Sequence, residues 1–345
     1  MIKKLKLKNF RNFENSEFLF WKQKNFIIWE NWKGKTNILE ALSLLSTQSL
    51  NNIDFNDLVG FHSDTFFIEA EKYNWDIMSI SYNKTDSKKI YTFNKKKTLK
   101  SKIKTKINKT VIFTPITMNM MYLSPSLRRD FLDQILLNTF DLYSKVLKEY
   151  KNILKSRNKT LKAISEWKIN IKELDFWDEK YIYICEIVYN YRFWLKSFLE
   201  KNISQIKKYF WDKINKVDFI YKSKIKNNIK NDIKNYLIEN RQRDIILSKT
   251  NIWPHIDDFD ILLDWKSIIN FASRWETKSS IIELKFLEIN FIEEHTKQKP
   301  ILLIDDLLSE IDEKHKNMIL NELNWYQIFI TSIRDQYENE NIIFL

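Results

Sequence analysis

A chain of 345 residues with only two glycines is short of the one residue that turns freely. Glycine enters the left-handed region of backbone space without steric penalty, and tight turns and phosphate-wrapping loops rely on it. Average usage would place roughly 24 in a chain this long. Tryptophan, by contrast, occurs twelve times. Several tryptophans stand where a turn is expected. Asp264-Trp265-Lys266 separates two strand signals, where Asp-Gly would make the natural hairpin turn. Trp253-Pro254-His255 and Trp325-Tyr326 also sit at turns, and Ser273-Arg274-Trp275-Glu276 precedes a helical pattern. Glycine UGA codons translated as tryptophan would leave this pattern, since UGA means tryptophan in one variant code and glycine in another. The expectation is UGA at 29, 32, 253, 265, 275 and 325.

The bulk numbers describe a soluble, globular, non-membrane chain, 44% hydrophobic and 30% charged. No stretch approaches the ~18 apolar residues that span a bilayer. Met1-Ile2-Lys3-Lys4-Leu5-Lys6 alternates apolar and basic residues, as a strand does and a signal peptide does not. Cys185 is the only cysteine, which fits a reducing, cytoplasmic setting. The net charge of +12 suggests a polyanionic partner, most often nucleic acid. Lysine accumulated on solvated faces would give the same surplus.

Residues 1–50 read as strand, turn, strand, loop and helix, with alternation over Leu5–Phe10, a buried strand at Phe26-Ile27-Ile28 and helical spacing over Asn37–Leu45. Strand signals recur at Phe66–Ala70, Ile77–Tyr82, Ile90–Phe93 and Val111–Phe113, and are read as β meanders. Residues 125–245 look mainly helical. Strands are expected at Asp244–Leu247, Ile261–Leu263, Ile301–Ile304 and Ile328–Thr331, and helices at about 277–293 and 312–323. No repeat or sustained heptad is visible. The fold class is therefore α/β, with the two ends sharing one sheet around a helical insertion. The expected division is a discontinuous α/β domain over 1–120 and 245–345, and a helical lobe over 121–244.

The segment Trp29-Glu30-Asn31-Trp32-Lys33-Gly34-Lys35-Thr36 lies between a buried strand and a helix. That is the setting of a phosphate-binding loop, Gly-x4-Gly-Lys-Ser/Thr. Gly34, Lys35 and Thr36 match, with Asn37 following; Trp29 replaces the first glycine. Such a loop points main-chain N–H groups inward at a helix N-terminus, and an indole there fills the space meant for phosphate. Lys35 is the candidate phosphate contact and catalytic cation, and Thr36 a candidate Mg²⁺ ligand.

Pro300-Ile301-Leu302-Leu303-Ile304-Asp305-Asp306 is an apolar strand ending in two carboxylates, the requirement of a Walker B strand. Asp305 is the second candidate for Mg²⁺, which prefers few carboxylates plus phosphate oxygens. Asp306 is the candidate that polarises the attacking water. The distance between the two motifs exceeds that of simple phosphate-loop proteins and suits ATPases of the ABC type. Those carry a third element, a Ser-x-Gly signature at a helix N-terminus that meets the nucleotide of the opposite subunit. Ser273-Arg274-Trp275, read as Ser-Arg-Gly, has the right order and spacing. An ordinary helix cap would also place a serine there.

Together these motifs resemble the RecF family and its SMC-type relatives. Leu5-Lys6-Leu7-Lys8-Asn9-Phe10-Arg11-Asn12-Phe13 is similar to the family's opening strand. Residues 29–41, read with glycines, resemble its phosphate loop and helix. Phe113-Thr114-Pro115, Ser124 to Asp133, and Tyr150 to Lys162 look like mid-chain blocks. Leu174 to Glu179 is similar to a segment with a true tryptophan, so Trp177 is expected to be UGG-encoded. Trp253-Pro254-His255-Ile256-Asp257-Asp258 resembles Gly-Pro-His-x-Asp-Asp, Ser309-Glu310-Ile311-Asp312 a D-loop, and Phe329-Ile330-Thr331-Ser332 the final strand. The likeness runs from residue 1 to about 333. Glu276 stands where glutamine is commoner and Ile256 where a basic residue is expected.

The resemblance implies an ABC-type ATPase head with a mainly helical inserted subdomain. It implies binding of ATP and Mg²⁺, an ATP-dependent homodimer, and slow, DNA-stimulated hydrolysis. It also implies binding to single-stranded DNA and gapped duplex, and action with RecO- and RecR-type partners to load a RecA-type recombinase. Arg11 and His255 would lie near the nucleotide, Arg128 and Arg129 could meet DNA phosphates, and the lysines at 95–97, 100, 102, 104 and 106 could form a DNA-facing hairpin. A non-hydrolysing DNA- or partner-binding scaffold is the alternative if the tryptophans are literal.

Overall fold

A computed structural model describes the chain except residues 29–33, 47–53, 100–102, 104–105, 107, 205–213, 215, 226–227, 252–253, 308–310, 312, 333–340 and 345. It forms two compact units, one of residues 1–118 and 288–345, the other of residues 119–287.

The first unit holds two sheets. One is parallel, in the order β14-β3-β13-β12-β8. Its members are β3 (Lys24–Ile28), β8 (Thr110–Phe113), β12 (Ile301–Ile304), β13 (Ile328–Ser332) and β14 (Asn341–Phe344). All four pairings are parallel. The strands β8 and β12 are buried at every position, the sign of a sheet covered on both faces. The two ends of the sequence do share this sheet, with Phe26 registered on Ile330. Val111–Phe113 is a correction to the expected meander: it leaves the antiparallel strands and pairs with β12, because it is apolar on both faces.

The second sheet is antiparallel, in the order β2-β1-β4-β5-β6-β7. It comprises β1 (Ile2–Phe10), β2 (Phe13–Leu19), β4 (Thr65–Lys72), β5 (Ile77–Asn83), β6 (Lys88–Phe93) and β7 (Lys96–Thr98). Along β4 buried and accessible residues alternate, so one face supplies the core. Leu5, Leu7, Phe66 and Ile68 from this sheet meet Ile38 and Leu42 of the helix Lys35–Leu44, and Leu303 and Phe329 of the parallel sheet, in one cluster. The Gln327 side chain also ties the sheets. It accepts from the Ile2 N–H at 2.6 Å and donates to the Ile2 and Trp21 carbonyls.

The second unit is built on the helices Pro125–Thr139, Tyr143–Ser165 and Glu173–Asn202. It also has a three-stranded sheet, β11-β10-β9, of β9 (Val217–Lys222), β10 (Asp258–Leu263) and β11 (Lys266–Ser267). Residues 245–287 fall in this unit rather than with the flanking chain, since β10 pairs along its length with β9. The strand β9 lies inside the stretch read as helical, its short alternation hidden among long helices. The strand expected at Asp244–Leu247 is a helix, Arg241–Leu247. Asp244 is fully buried there, accepting from Arg157 at 3.0 Å and from Asn251. The helix Arg274–Thr296 is longer than expected at both ends.

Among the described residues three tryptophans occupy left-handed backbone. Trp167 has φ 58°. It follows the Tyr143–Ser165 helix, its N–H bonds to the Ile164 carbonyl, and the Lys168 N–H bonds back to Ala163. These paired bonds define a Schellman cap, whose left-handed residue is usually glycine. Trp75 has φ 67° in the β4–β5 loop, where its N–H reaches Lys72 O and the Lys72 N–H reaches Asp76 O. This is a three-residue hairpin loop with a left-handed third residue. Asp264 and Trp265 have φ 43° and 71° between Leu263 and Lys266, which pair; two positive values are the mark of a type I′ turn. All three indoles are exposed, Trp167 at 95%. Trp177 and Trp194 differ. Both lie within the helix Glu173–Asn202, where Trp194 stacks on Phe140 at 5.0 Å. Trp275 and Trp325 have no positive φ, so the backbone makes no demand for glycine at either. Trp29, Trp32 and Trp253 lie outside the described residues.

A left-handed non-glycine residue costs roughly 1–2 kcal/mol. Trp75→Gly, Trp167→Gly and Trp265→Gly should therefore each raise the urea midpoint followed by circular dichroism. Trp177→Gly should lower it, by about 1 kcal/mol or more for helix propensity alone. The same sign at all four positions would defeat the distinction.

Candidate nucleotide-binding site

The strand β3 ends at Ile28, and six residues later Gly34 opens the helix Lys35–Leu44 with φ 101°. The left-handed backbone asks for glycine here, and a β-carbon on Gly34 would lie 2.6 Å from Asn12 Oδ1, so a larger residue would also displace the Asn12 side chain. The Asn37 N–H bonds to Gly34 O at 3.0 Å, and the Asn37 side chain donates to Asn12 Oδ1 at 2.8 Å. The β1–β2 turn thus rests on the start of the helix. The start of a helix favours an anion. Trp29, Glu30, Asn31, Trp32 and Lys33 lie outside the described residues.

Lys35 is buried, and its Nζ donates to the Ser332 carbonyl at the end of β13, at 3.4 Å. Thr36 donates to Asp305 Oδ1 at 3.1 Å. Asp305 and Asp306 follow β12 directly, at the carboxyl end of the parallel sheet, where such sheets place ligands. Thr331, at the end of β13, lies 2.9 Å from Asp305 Oδ1 and 2.8 Å from the Asp306 N–H. Asp306 is itself left-handed, at φ 48°. Burial pushes the Asp305 carboxyl above the ordinary aspartate range, against the donation from Thr331. The structure therefore brings together Gly34, Lys35, Thr36, Asn37, Asp305 and Asp306. Among the described residues no three His, Cys, Asp or Glu side chains converge on a metal position. A hydroxyl and a carboxylate are hard oxygen donors, and the set fits Mg²⁺ that draws its remaining ligands from phosphate and water.

Arg11, also left-handed at φ 54°, is beside this helix but is committed to protein. It makes a bidentate pair with Glu40 at 2.9 and 3.0 Å and donates to the Asp57 carbonyl at 2.8 Å. It braces the helix carrying Lys35 and Thr36. Sequence reasoning passed over Asn12, Glu40 and Thr331. Only the last had a signal, a hydroxyl after the apolar run Ile328–Ile330 just as the acids follow Ile301–Ile304.

Ser273 and Trp275 belong to the second unit. Ser273 Oγ accepts from the Glu276 N–H at 3.2 Å, and Glu276 Oε2 accepts from the Ser273 N–H at 2.7 Å. This is a reciprocal capping box. It fixes the serine oxygen at the exposed start of the long helix, and Trp275 sits in the first turn. His255 is partly buried in the same unit, 2.6 Å from the Tyr150 hydroxyl. Arg128 pairs with Asp258 at 2.7 and 2.8 Å, and Arg129 donates to the Asp257 carbonyl. Both arginines therefore brace the Pro254 to Asp258 block. The lysine hairpin exists as β6 and β7, with Lys95, Lys96 and Lys97 exposed; Lys100, Lys102 and Lys104 lie outside the described residues.

A parallel sheet with a lysine-threonine helix start after one strand and paired carboxylates after another defines a phosphate-loop ATPase head of the ABC type. Known proteins agree. The chain is 30% identical over 337 residues to the DNA replication and repair protein RecF of Lachnoclostridium phytofermentans, covering 96% of this chain and 92% of that one. It is 31% identical to RecF of Clostridium perfringens over 338 residues, covering 96% and 92%. The chain belongs to the RecF family. A solved structure of the recombination mediator protein RecF-ATPrS in the RecFOR pathway matches with TM-score 0.91 at 27% identity, covering 100% of this chain and 96% of that one. The Pyrococcus furiosus Smc head domain shares the fold, with TM-score 0.53 at 16% identity, covering 99% and 92%. No family model matches.

Two outcomes follow from the electrostatics. An aspartate whose carboxyl is raised by burial opposes folding at any pH above the ordinary aspartate range. Asp305→Asn should stabilise the nucleotide-free protein while removing the Mg²⁺ dependence of ATP binding; loss of stability would contradict the assignment. Burial lowers His255 to about 4. Its stabilising contribution is whole above the unfolded value near 6.5 and is lost as the pH falls toward 4, roughly 3 kcal/mol in all. In urea titrations between pH 7 and 4, His255→Gln should flatten that decline.

Proposed function

We propose that the chain is an ATP-gated DNA-binding protein of replication and recombinational repair, with weak ATPase activity. Its role is to bind single-stranded DNA and gapped duplex and to help RecO- and RecR-type partners load a RecA-type recombinase. The observation that carries the reading is the 3.1 Å approach of Thr36 to Asp305, which joins the phosphate-loop helix to the acidic strand end. Lys35 would neutralise the β- and γ-phosphates. Thr36 and Asp305 would hold Mg²⁺, which supplies charge neutralisation on the phosphates when bound. Asp306 would orient the attacking water; an aspartate is shorter than glutamate, which suits slow turnover. Ser273, held by its capping box, would meet the nucleotide of a second copy, so that ATP acts as a ligand of the dimer interface. The dimer would present Lys95, Lys96 and Lys97 among its basic surfaces, and phosphate contacts by lysine carry affinity with little sequence preference. The cytoplasm is the expected setting, and no helix among the described residues is long and apolar enough to cross a membrane.

The test uses protein carrying glycine at 29, 32, 75, 167, 253, 265, 275 and 325. Light scattering should show a dimer with ATP and a monomer without it, and gapped DNA should bind more tightly with ATP. Lys35→Ala and Ser273→Arg should each abolish the dimer. Asp306→Asn should keep the dimer and slow hydrolysis by about 10²-fold or more. A protein that binds DNA equally with and without ATP, and stays monomeric, would be the scaffold instead.

A further inference from the structure

The hydroxyl of Thr331 has one proton and two close neighbours. It is 1% exposed, at the end of β13. The Asp306 N–H at 2.8 Å can only donate, so Thr331 Oγ1 accepts there. Its proton then goes to Asp305 Oδ1 at 2.9 Å, since the Ile304 carbonyl and Asp306 Oδ1 are both at 3.5 Å. Asp305 Oδ1 also takes the Thr36 hydroxyl at 3.1 Å, whereas Oδ2 has only the longer approach of 3.4 Å. One buried hydroxyl therefore sets the rotation of Asp305 and the left-handed backbone of Asp306 together. The next residue, Ser332, holds Lys35 through its carbonyl.

We infer that Thr331 is a positioning residue for both carboxylates, holding Asp305 toward the metal and Asp306 toward the attacking water from one atom. The inference rests on the ATPase reading of this site. Neighbours that orient a metal ligand are commonly worth 10- to 100-fold in metal affinity. Valine fills the same space without the hydroxyl, removing the bond from the Asp306 N–H and the donation to Asp305 Oδ1; serine restores both.

The experiment titrates Mn²⁺ by electron paramagnetic resonance into the glycine-restored full chain with bound ATP, and separately measures fluorescent ADP binding in EDTA. Thr331→Val should weaken Mn²⁺ binding about 10- to 100-fold and lower kcat more than it raises KM. Thr331→Ser should stay within about threefold of the parent. ADP binding in EDTA should be the same in all three, which shows that the loop is intact. Unchanged Mn²⁺ binding in Thr331→Val, or a serine variant as weak as valine, would overturn the inference. A parent chain that binds neither ATP nor Mn²⁺ would instead defeat the ATPase reading itself.

Discussion

Thr36 and Asp305 stand 269 positions apart in the chain and 3.1 Å apart in the fold. Everything else in the first unit serves that approach. The parallel sheet sets β3 and β12 on either side of β13, so the helix after one strand and the acids after the other emerge at the same edge. The antiparallel sheet covers the helix from outside, and its β1–β2 turn sends Arg11 to Glu40 and Asn12 against Gly34. The strand β13 closes the arrangement, with Thr331 on the carboxylates and Ser332 on the lysine.

Much of this was legible in the residues. Short apolar runs such as Phe26–Ile28, Ile301–Ile304 and Ile328–Thr331 carry no period but end in chemistry, which marks them as buried strands of one shared sheet. What escaped were elements whose identity is decided by a partner that no motif names. Val111–Phe113 looks like its antiparallel neighbours until β12 is beside it. The strand β9 makes sense only with β10 to pair with. Asp244–Leu247 has the apolar density of a strand, but a buried Asp244 held by Arg157 fixes it as helix. No sequence rule foretells that Glu40 takes the Arg11 guanidinium.

The tryptophans separate on backbone geometry alone. A Schellman cap, a three-residue hairpin loop and a type I′ turn are unrelated structures, yet each puts an indole where a β-carbon is least welcome. Trp177 and Trp194 occupy helix interiors among aromatic neighbours. Of the six positions where glycine was expected, 265 is supported by its dihedral angles. Positions 75 and 167 join it, and Asn74 and Asp76 flank the first of them between two strands.

The layout of the sheets also governs the order in which the chain can fold as it leaves the ribosome. The second unit is one continuous stretch, so all its partners are available once residue 287 has emerged. The parallel sheet is not: β3 is made early, but both its neighbours, β13 and β14, come from the last eighteen residues. An apolar strand and the start of the phosphate loop must wait, unpaired, for most of the synthesis, and exposed strands of this kind invite aggregation.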